Sequence, residues 1–328
     1  MTHGGDVTQS ALNPAAAESA HIAHLWWIFF WVSVSIFALV AIFLLVAILR
    51  HTRNPREGKA SEVMRAPPLA RERRTGIVVW TCVGLTVLTL FVLLVLDFFT
   101  GNKIYATPDP NALAIKITGQ QWWWNIEYQD PQPSEVMTTA NEIHVPVGKP
   151  VKFELQSTDV IHSFWVPNMH GKKDLVPGHP TTTWFTAERA GEFRGQCAEY
   201  CGEQHAHMRL VFVAEASAQF DRWLAAQKKS APEPTTTSTQ RGRDIFLSSQ
   251  CVMCHRIQGT NARATLGPDL THIASRKLIG AGALPNTRGY LAGWILNPQV
   301  LKPGTRMPPT QLQADDLNAL LDYLESLK

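Results

Sequence analysis

Residues 25–49 read LWWIFFWVSVSIFALVAIFLLVAIL, 25 consecutive positions without a charged side chain. A helix of that length, rising about 1.5 Å per residue, more than covers the ~30 Å hydrocarbon core of a bilayer. A secretory signal peptide is the competing reading, but its apolar region is shorter and follows a basic segment, and residues 1–24 contain neither lysine nor arginine. Working outward, residues 77–96 form a second uncharged run of 20, ended by Asp97. The connection 50–74 carries eight basic side chains (Arg50, Arg53, Arg56, Lys59, Arg65, Arg71, Arg73, Arg74) against three acidic ones (Glu57, Glu62, Glu72). Loops so enriched in lysine and arginine stay cytoplasmic, so both ends of the hairpin, and the whole chain after residue 100, are predicted on the other side. Trp26, Trp27 and Trp31 suit an interfacial belt, although packing against a partner subunit selects the same bulky residues. Cys82 reads as a small apolar filler buried within the second span, and Glu57 and Glu62 as solvated loop residues.

The composition agrees with a membrane part diluted by hydrated domains. Of 328 residues only 17% are charged, against a usual ~25%. A net charge of +3 gives no reason to expect a nucleic-acid partner, and five cysteines are too few and too clustered for a disulfide scaffold. From residue 102 to 227 short runs of β-formers (113–118, 122–128, 151–157, 208–214), punctuated by Gly and Pro, predict a β-sandwich or barrel. Residues 228–240, KKSAPEPTTTSTQ, lack large apolar side chains and predict an extended, hydrated linker. Residues 241–328 return to helical periodicity, clearest at 290–296 and at 317, 320, 321, 324 and 327. The predicted units are an extracytoplasmic segment 1–24, a hairpin 25–99 with its loop at 50–74, a β domain 101–227, the linker, and an all-α domain 241–328.

Two constellations carry chemistry. The first is C-A-E-Y-C-G-E-Q-H-A-H-M, with Cys197, Glu199, Cys201, His205, His207 and Met208 inside twelve residues. A bare C-x-x-x-C outside the cytoplasm reads as a disulfide. The added imidazole and thioether shift the reading to copper, since zinc rarely takes Met and hard cations avoid sulfur. A further imidazole is expected from a distant strand, and D-V-I-H-S-F-W-V-P offers His162.

These two motifs, with Q-W-W-W-N-I-E-Y at 121–128, resemble subunit II of haem-copper cytochrome c oxidases over about residues 20–227. The resemblance implies a cupredoxin-like Greek-key domain holding a binuclear CuA centre. It implies that Cys197 and Cys201 bridge two coppers, that His162 and His205 ligate one each, and that Met208 and the Glu199 carbonyl complete the set. His207 competes with His205 on spacing. The resemblance further implies a Mg or Mn site using the Glu199 side chain at the boundary with subunit I. Trp122 matches the aromatic through which an external cytochrome c passes its electron, while Trp123 and Trp124 read as packing. His144, His170 and His179 read as surface or hydrogen-bonded residues.

The second constellation is C-V-M-C-H, Cys251, Cys254 and His255, the spacing of covalent c-type haem attachment with His255 as proximal axial ligand. A structural zinc would need a second ligand pair, and only His272 follows. The distal ligand is expected to be Met307 in G-T-R-M-P-P, the single methionine after His255, with His272 as its imidazole rival. Residues 240–328 resemble class I cytochromes c: Gly267-Pro268-Asp269-Leu270 matches the loop whose proline carbonyl orients the proximal histidine, and Tyr290, Trp294 and the C-terminal helix match packing elements.

Together these imply the electron-accepting subunit of a caa3-type respiratory oxidase in a bacterial cytoplasmic membrane, with both redox domains periplasmic. Subunit I, and with it subunit III, would be partners, and a cytochrome c or a quinol–cytochrome c reductase the donor. A CuA subunit of a nitric oxide reductase, or a membrane-tethered carrier, are the alternatives. Neither apolar run contains histidine, so oxygen chemistry belongs to a partner. Residues 101–227 carry 10 basic and 14 acidic side chains and residues 241–328 carry 10 and 6, opposite balances that are expected to steer one domain onto the other.

Overall fold

The computed structural model describes residues 8–53, 69–104 and 112–328. Glu57, Glu62 and most of the predicted cytoplasmic loop lie outside the described residues. The chain forms two compact units, residues 21–106 and residues 1–20 with 107–328.

Helices α1 (Ala17–Arg53) and α2 (Leu69–Ile104) are each long and apolar enough to cross a membrane. Both outrun the uncharged stretches that predict them, because the flanking Arg and Glu residues are good helix formers and continue the backbone past the apolar core. Phe37, Phe43, Leu85 and Phe91 are exposed along them, as a helix apolar on every side requires when lipid or partner helices supply its surroundings. Cys82 is exposed too, so this chain does not provide the burial expected of it.

The second unit begins with ten strands in two sheets. They are β1 (Leu113–Gln120), β2 (Trp123–Tyr128), β3 (Met137–Ala140), β4 (Glu142–Pro146), β5 (Pro150–Ser157), β6 (His162–Trp165), β7 (Lys173–Leu175), β8 (Thr181–Thr186), β9 (Gly191–Cys197) and β10 (Arg209–Glu215). One sheet runs β3-β2-β1-β5-β8, the other β4-β10-β9-β6-β7. Period-two alternation drives the sandwich: Val151, Phe153 and Leu155 of β5 point inward, in parallel register with Leu113, Ile115 and Ile117 of β1. Phe153, Phe185 and Phe212 meet at the centre, with ring centroids 4.7 Å apart for Phe153–Phe185 and 5.6 Å for Phe185–Phe212. Each such side chain contributes roughly 1.5–3 kcal/mol on burial. This is the cupredoxin-like sandwich expected.

Two features of this domain escape the sequence pattern. Helix α3 (Ser217–Gln227) follows β10, with Phe220 buried and Trp223 stacked on His144 at 4.0 Å. The N-terminal segment is not a separate extension, because residues 8–19 bind along the sandwich. Thr8 bridges Phe193, Ala15 N–H donates to Asn168 O at 2.7 Å, and Ser19 Oγ donates to the same carbonyl at 2.6 Å. Ala15, Ala16 and Ser19 are buried there.

The C-terminal domain contains α4 (Thr237–Ser248), a short hairpin β11 (Leu278–Ile279) and β12 (Leu284–Pro285), then α5 (Arg288–Leu296), α6 (Pro298–Leu301) and α7 (Ala314–Ser326). The linker expectation needs correction at both ends. Thr237–Gln240 belong to α4, which starts early because Thr236 and Thr239 form a reciprocal capping box. Residues 228–235 are tied by polar groups rather than apolar side chains: Lys228 pairs with Asp130 and Glu135, and Ala231 N–H donates to Gln258 O at 2.9 Å. Leu320, Leu321, Leu324 and Leu327 of the predicted face are buried with Phe246, Ile257 and Ile295.

Helices α4 and α7 cross at Gly242, where a Cβ would lie 2.0 Å from Ala319 O and 2.7 Å from Tyr323 Cβ. Gly242→Ala is therefore expected to force the helices apart and cost roughly 3 kcal/mol. Thermal unfolding of the haem-loaded domain would read this as a drop on the order of 10 °C. Gly289→Ala, where nothing lies within 4 Å, should leave the midpoint in place.

Candidate metal and haem centres

The sulfur-rich loop is the connection between β9 and β10. Cys197 ends β9 and its N–H donates to Met208 O at 2.9 Å, closing the loop. β6 pairs with β9 through Phe164 and Cys197, which brings His162 alongside. The ligand atoms of His162, Cys197 and Cys201 all lie within 4.8 Å of one another, and all three residues are buried. Around them Cys197 Sγ is 3.9 Å from His162 Nδ1 and 3.2 Å from Glu199 O. Cys201 Sγ is 3.6 Å from His205 Nδ1 and 3.9 Å from Met208 Sδ. Every member of the sequence-derived set therefore converges, including the backbone carbonyl. His207 does not: it is exposed, and its Nδ1 bonds Gln204 Oε1 at 2.7 Å.

The electrostatics suit a soft cation. The neighbouring Cys201 thiol and the His162 imidazole hold the Cys197 thiol down at about 4, against the opposing effect of burial. Sharing that proton pushes Cys201 well above the ordinary thiol range. Burial alone would lower His162, yet Asp159 and Cys197 together raise it. His162 Nε2 is 2.8 Å from Asp159 Oδ1, so the imidazole is oriented with Nδ1 toward the sulfurs. The carboxylate was not singled out from sequence, though its D-x-x-H spacing was visible. A set of two thiols, two imidazoles and a thioether, all buried except the half-buried His205, fits copper and does not fit a hard ion.

The other predicted residues fall as follows. The Glu199 carboxylate is exposed and paired with Lys172 at 3.1 Å. His144 is buried between Glu215 at 2.8 Å and Glu142 at 3.0 Å, His170 bonds Gly171 O at 3.0 Å, and His179 is exposed. Trp124 is fully buried packing. The Trp122 indole donates to Cys201 O at 2.9 Å, the same carbonyl that Gln121 Nε2 reaches at 2.8 Å.

In the C-terminal domain Cys251, Cys254 and His255 lie half-buried around a 3-10 turn, Gln250–Met253. His255 Nδ1 is 2.8 Å from Pro268 O, which leaves Nε2 for another partner, and burial holds the imidazole below its ordinary value, favouring the neutral ligand form. His272 has both ring nitrogens against carbonyls, Lys328 O at 2.9 Å and Lys229 O at 3.0 Å. Met307 is half-buried, its own carbonyl held by Gln299 Nε2 at 3.0 Å. The buried Arg276 donates to Asp269 O yet leaves Nε without a partner, and a cation with a spare N–H suits the anionic carboxylates of a haem.

The two domains share an interface over Trp122. A Cβ on Gly202 of the sulfur loop would lie 3.1 Å from the indole Cζ2, and one on Gly304 of the Met307 loop 3.3 Å from Cη2, so two glycine backbones press on the ring. Both have positive φ. Arg209 N–H donates to Ala281 O at 3.0 Å, Arg306 pairs with Asp159 at 3.3 Å, and Lys277 pairs with Glu192. These ion pairs give the opposite charge balances a physical expression.

Comparison with known proteins matches residues 113–215 to the cytochrome c oxidase subunit II periplasmic domain and residues 239–328 to cytochrome c. Cytochrome c oxidase subunit 2 of Alkalihalophilus pseudofirmus is 38% identical over 76% of this chain and 72% of its own length. The subunit 2 of Bacillus sp. strain PS3 is 31% identical over 76% and 74%. The periplasmic domain of subunit II from Bradyrhizobium japonicum is a solved structure 33% identical to this chain, covering 38% of it and 96% of that domain, with a TM-score of 0.34. This chain belongs to the cytochrome c oxidase subunit 2 family, a membrane-anchored subunit of an oxidoreductase complex whose two matched domains imply CuA copper and haem.

Proposed function

We propose that this chain receives electrons for a respiratory oxidase, multi-pass in the bacterial cytoplasmic (inner) membrane with both redox domains periplasmic. Cys251 and Cys254 would attach a haem c covalently, and His255 and Met307 would hold its iron. Cys197, Cys201, His162, His205, Met208 and the Glu199 carbonyl would together hold the two coppers. When bound, the haem and the copper pair supply one-electron stations between a donor, a cytochrome c or a quinol–cytochrome c reductase, and subunit I, which reduces oxygen to water with proton translocation. Subunit III accompanies subunit I, and the exposed Glu199 carboxylate serves a shared Mg or Mn at that boundary.

The chain's own residues supply rigidity and dryness. Asp159 fixes the His162 ring, Pro268 O fixes the His255 ring, and the buried sulfurs keep water away, so ligand geometry changes little with redox state. Trp122, through which electrons are proposed to pass, is clamped by its bond to Cys201 O and by the loop that precedes Met307. That single juxtaposition, sulfur loop and Met307 loop on one indole, carries the reading.

Purification with optical and spin-resonance spectra tests it. A binuclear copper signal, a c-type haem and a haem-rich partner taking up oxygen are expected. A chain that runs alone would be a tethered carrier instead, and a complex that consumes nitric oxide but not oxygen would be a reductase.

A further inference from the structure

Lys302 follows α6 and stands five residues before Met307, in a loop of prolines and glycine where a lysine is ordinarily solvated. Here it is only 2% exposed. Its Nζ donates to Trp122 O at 2.8 Å and His207 O at 2.9 Å, both in the copper domain, and to Gly280 O at 2.9 Å in its own. Three ammonium donors meet three carbonyl acceptors, and no carboxylate is among them. Burial pulls its ammonium down to about 7, a desolvation cost that an apolar side chain would avoid.

Such a costly group is explained by what it specifies. Apolar contact tolerates sliding, whereas a buried ammonium is satisfied only when its acceptors surround it, so it selects one docked pose. The pose it selects places Gly304 on the Trp122 ring. Arg276 is buried too and its Nη2 reaches Thr139 Oγ1 at 3.3 Å, far from the Met307 loop in sequence, whereas the cross-domain ion pairs differ in kind: the Arg306 side chain is 63% exposed and that of Lys277 64%, rim positions where ion pairs contribute little to stability.

From this geometry we infer that Lys302 is a positioning residue for electron transfer between the domains, pinning the Met307 loop to the Trp122 backbone. The inference rests on the proposed passage of electrons from haem to copper, but its structural half is measurable separately. The Arg209 amide bonds Ala281 O across the interface, while the Val211 amide bonds Asn141 O at 2.9 Å within the copper domain and serves as control.

In the purified oxidase complex Lys302→Met is expected to slow haem-to-copper transfer roughly tenfold or more, since the three carbonyls that meet at the buried ammonium lose their donor. The rate should become dependent on viscosity, because transfer then waits for re-docking, and hydrogen exchange at Arg209 should rise while Val211 stays protected. Haem and copper spectra and the haem potential should remain those of the wild type. Lys302→Gln, which keeps two N–H donors at shorter reach, is expected to be intermediate and serves if the Met variant does not assemble. Wild-type transfer with wild-type Arg209 protection in either variant overturns the inference, as does slowing accompanied by altered spectra or potential, which marks a merely structural role. A wild-type complex whose haem and copper exchange no electrons removes the functional reading instead, and Arg209 exchange still decides whether Lys302 fixes the pose.

Discussion

Cys197→Ser is expected to abolish the mixed-valence copper signal of the proposed binuclear centre and to lower copper from two ions per chain to at most one, while the haem spectrum stays intact. Serine matches cysteine in shape, so the buried loop between β9 and β10 keeps its backbone. What changes is the donor. Cys197 is poised as a thiolate, held down at about 4 beside Cys201 and His162, whereas a serine hydroxyl does not ionise near neutral pH and offers a hard oxygen to a soft metal. One sulfur alone cannot bridge as two do, and the electron is then no longer shared. Spin resonance and metal analysis of the purified variant measure both quantities. An unchanged signal would remove Cys197 from the ligand set. His207→Ala is the matched control, expected to keep the signal because that ring bonds Gln204 away from the sulfurs.

Met307→Ala is expected to lower the haem reduction potential by on the order of 100 mV, a modest part of the ~0.8 V that axial ligands span. A thioether favours reduced iron, and its loss leaves water or a stronger donor in its place. His272 is poorly placed to substitute, since both its nitrogens already lie against carbonyls at either end of the domain. Redox titration followed optically gives the result. An undisturbed potential and absorption spectrum would transfer the ligand role elsewhere. Because Cys251 and Cys254 are untouched, the haem should remain attached.

Strands were legible where burial alternates. The runs at 113–118 and 151–157 became β1 and β5 with shifts of one or two residues at their ends. The copper loop was legible because its scarce ligand types crowd into twelve positions, whereas His162, 35 residues from Cys197, was legible only as the further imidazole a distant strand had to offer, its ligand role coming from the family resemblance. Other elements left no such trace. Residues 228–235 look like solvated linker because their anchoring uses backbone groups and three ordinary ion pairs. Lys302 looks like any loop lysine, since its three acceptors are carbonyls that every residue possesses. Hydrogen bonding between distant main chains is invisible to composition and periodicity alike.

The strap formed by residues 8–19 sets an order of events during synthesis. The strap starts ahead of both long helices in the chain, yet Asn168, Glu192 and Ala187, which receive it, are made only after both. Thr8 therefore waits for its acceptor, Glu192 O, until about 180 further residues have been made. With the copper domain periplasmic, as proposed, its completion would report that the hairpin has been inserted the right way round, since a strap left in the cytoplasm would be cut off from its strand.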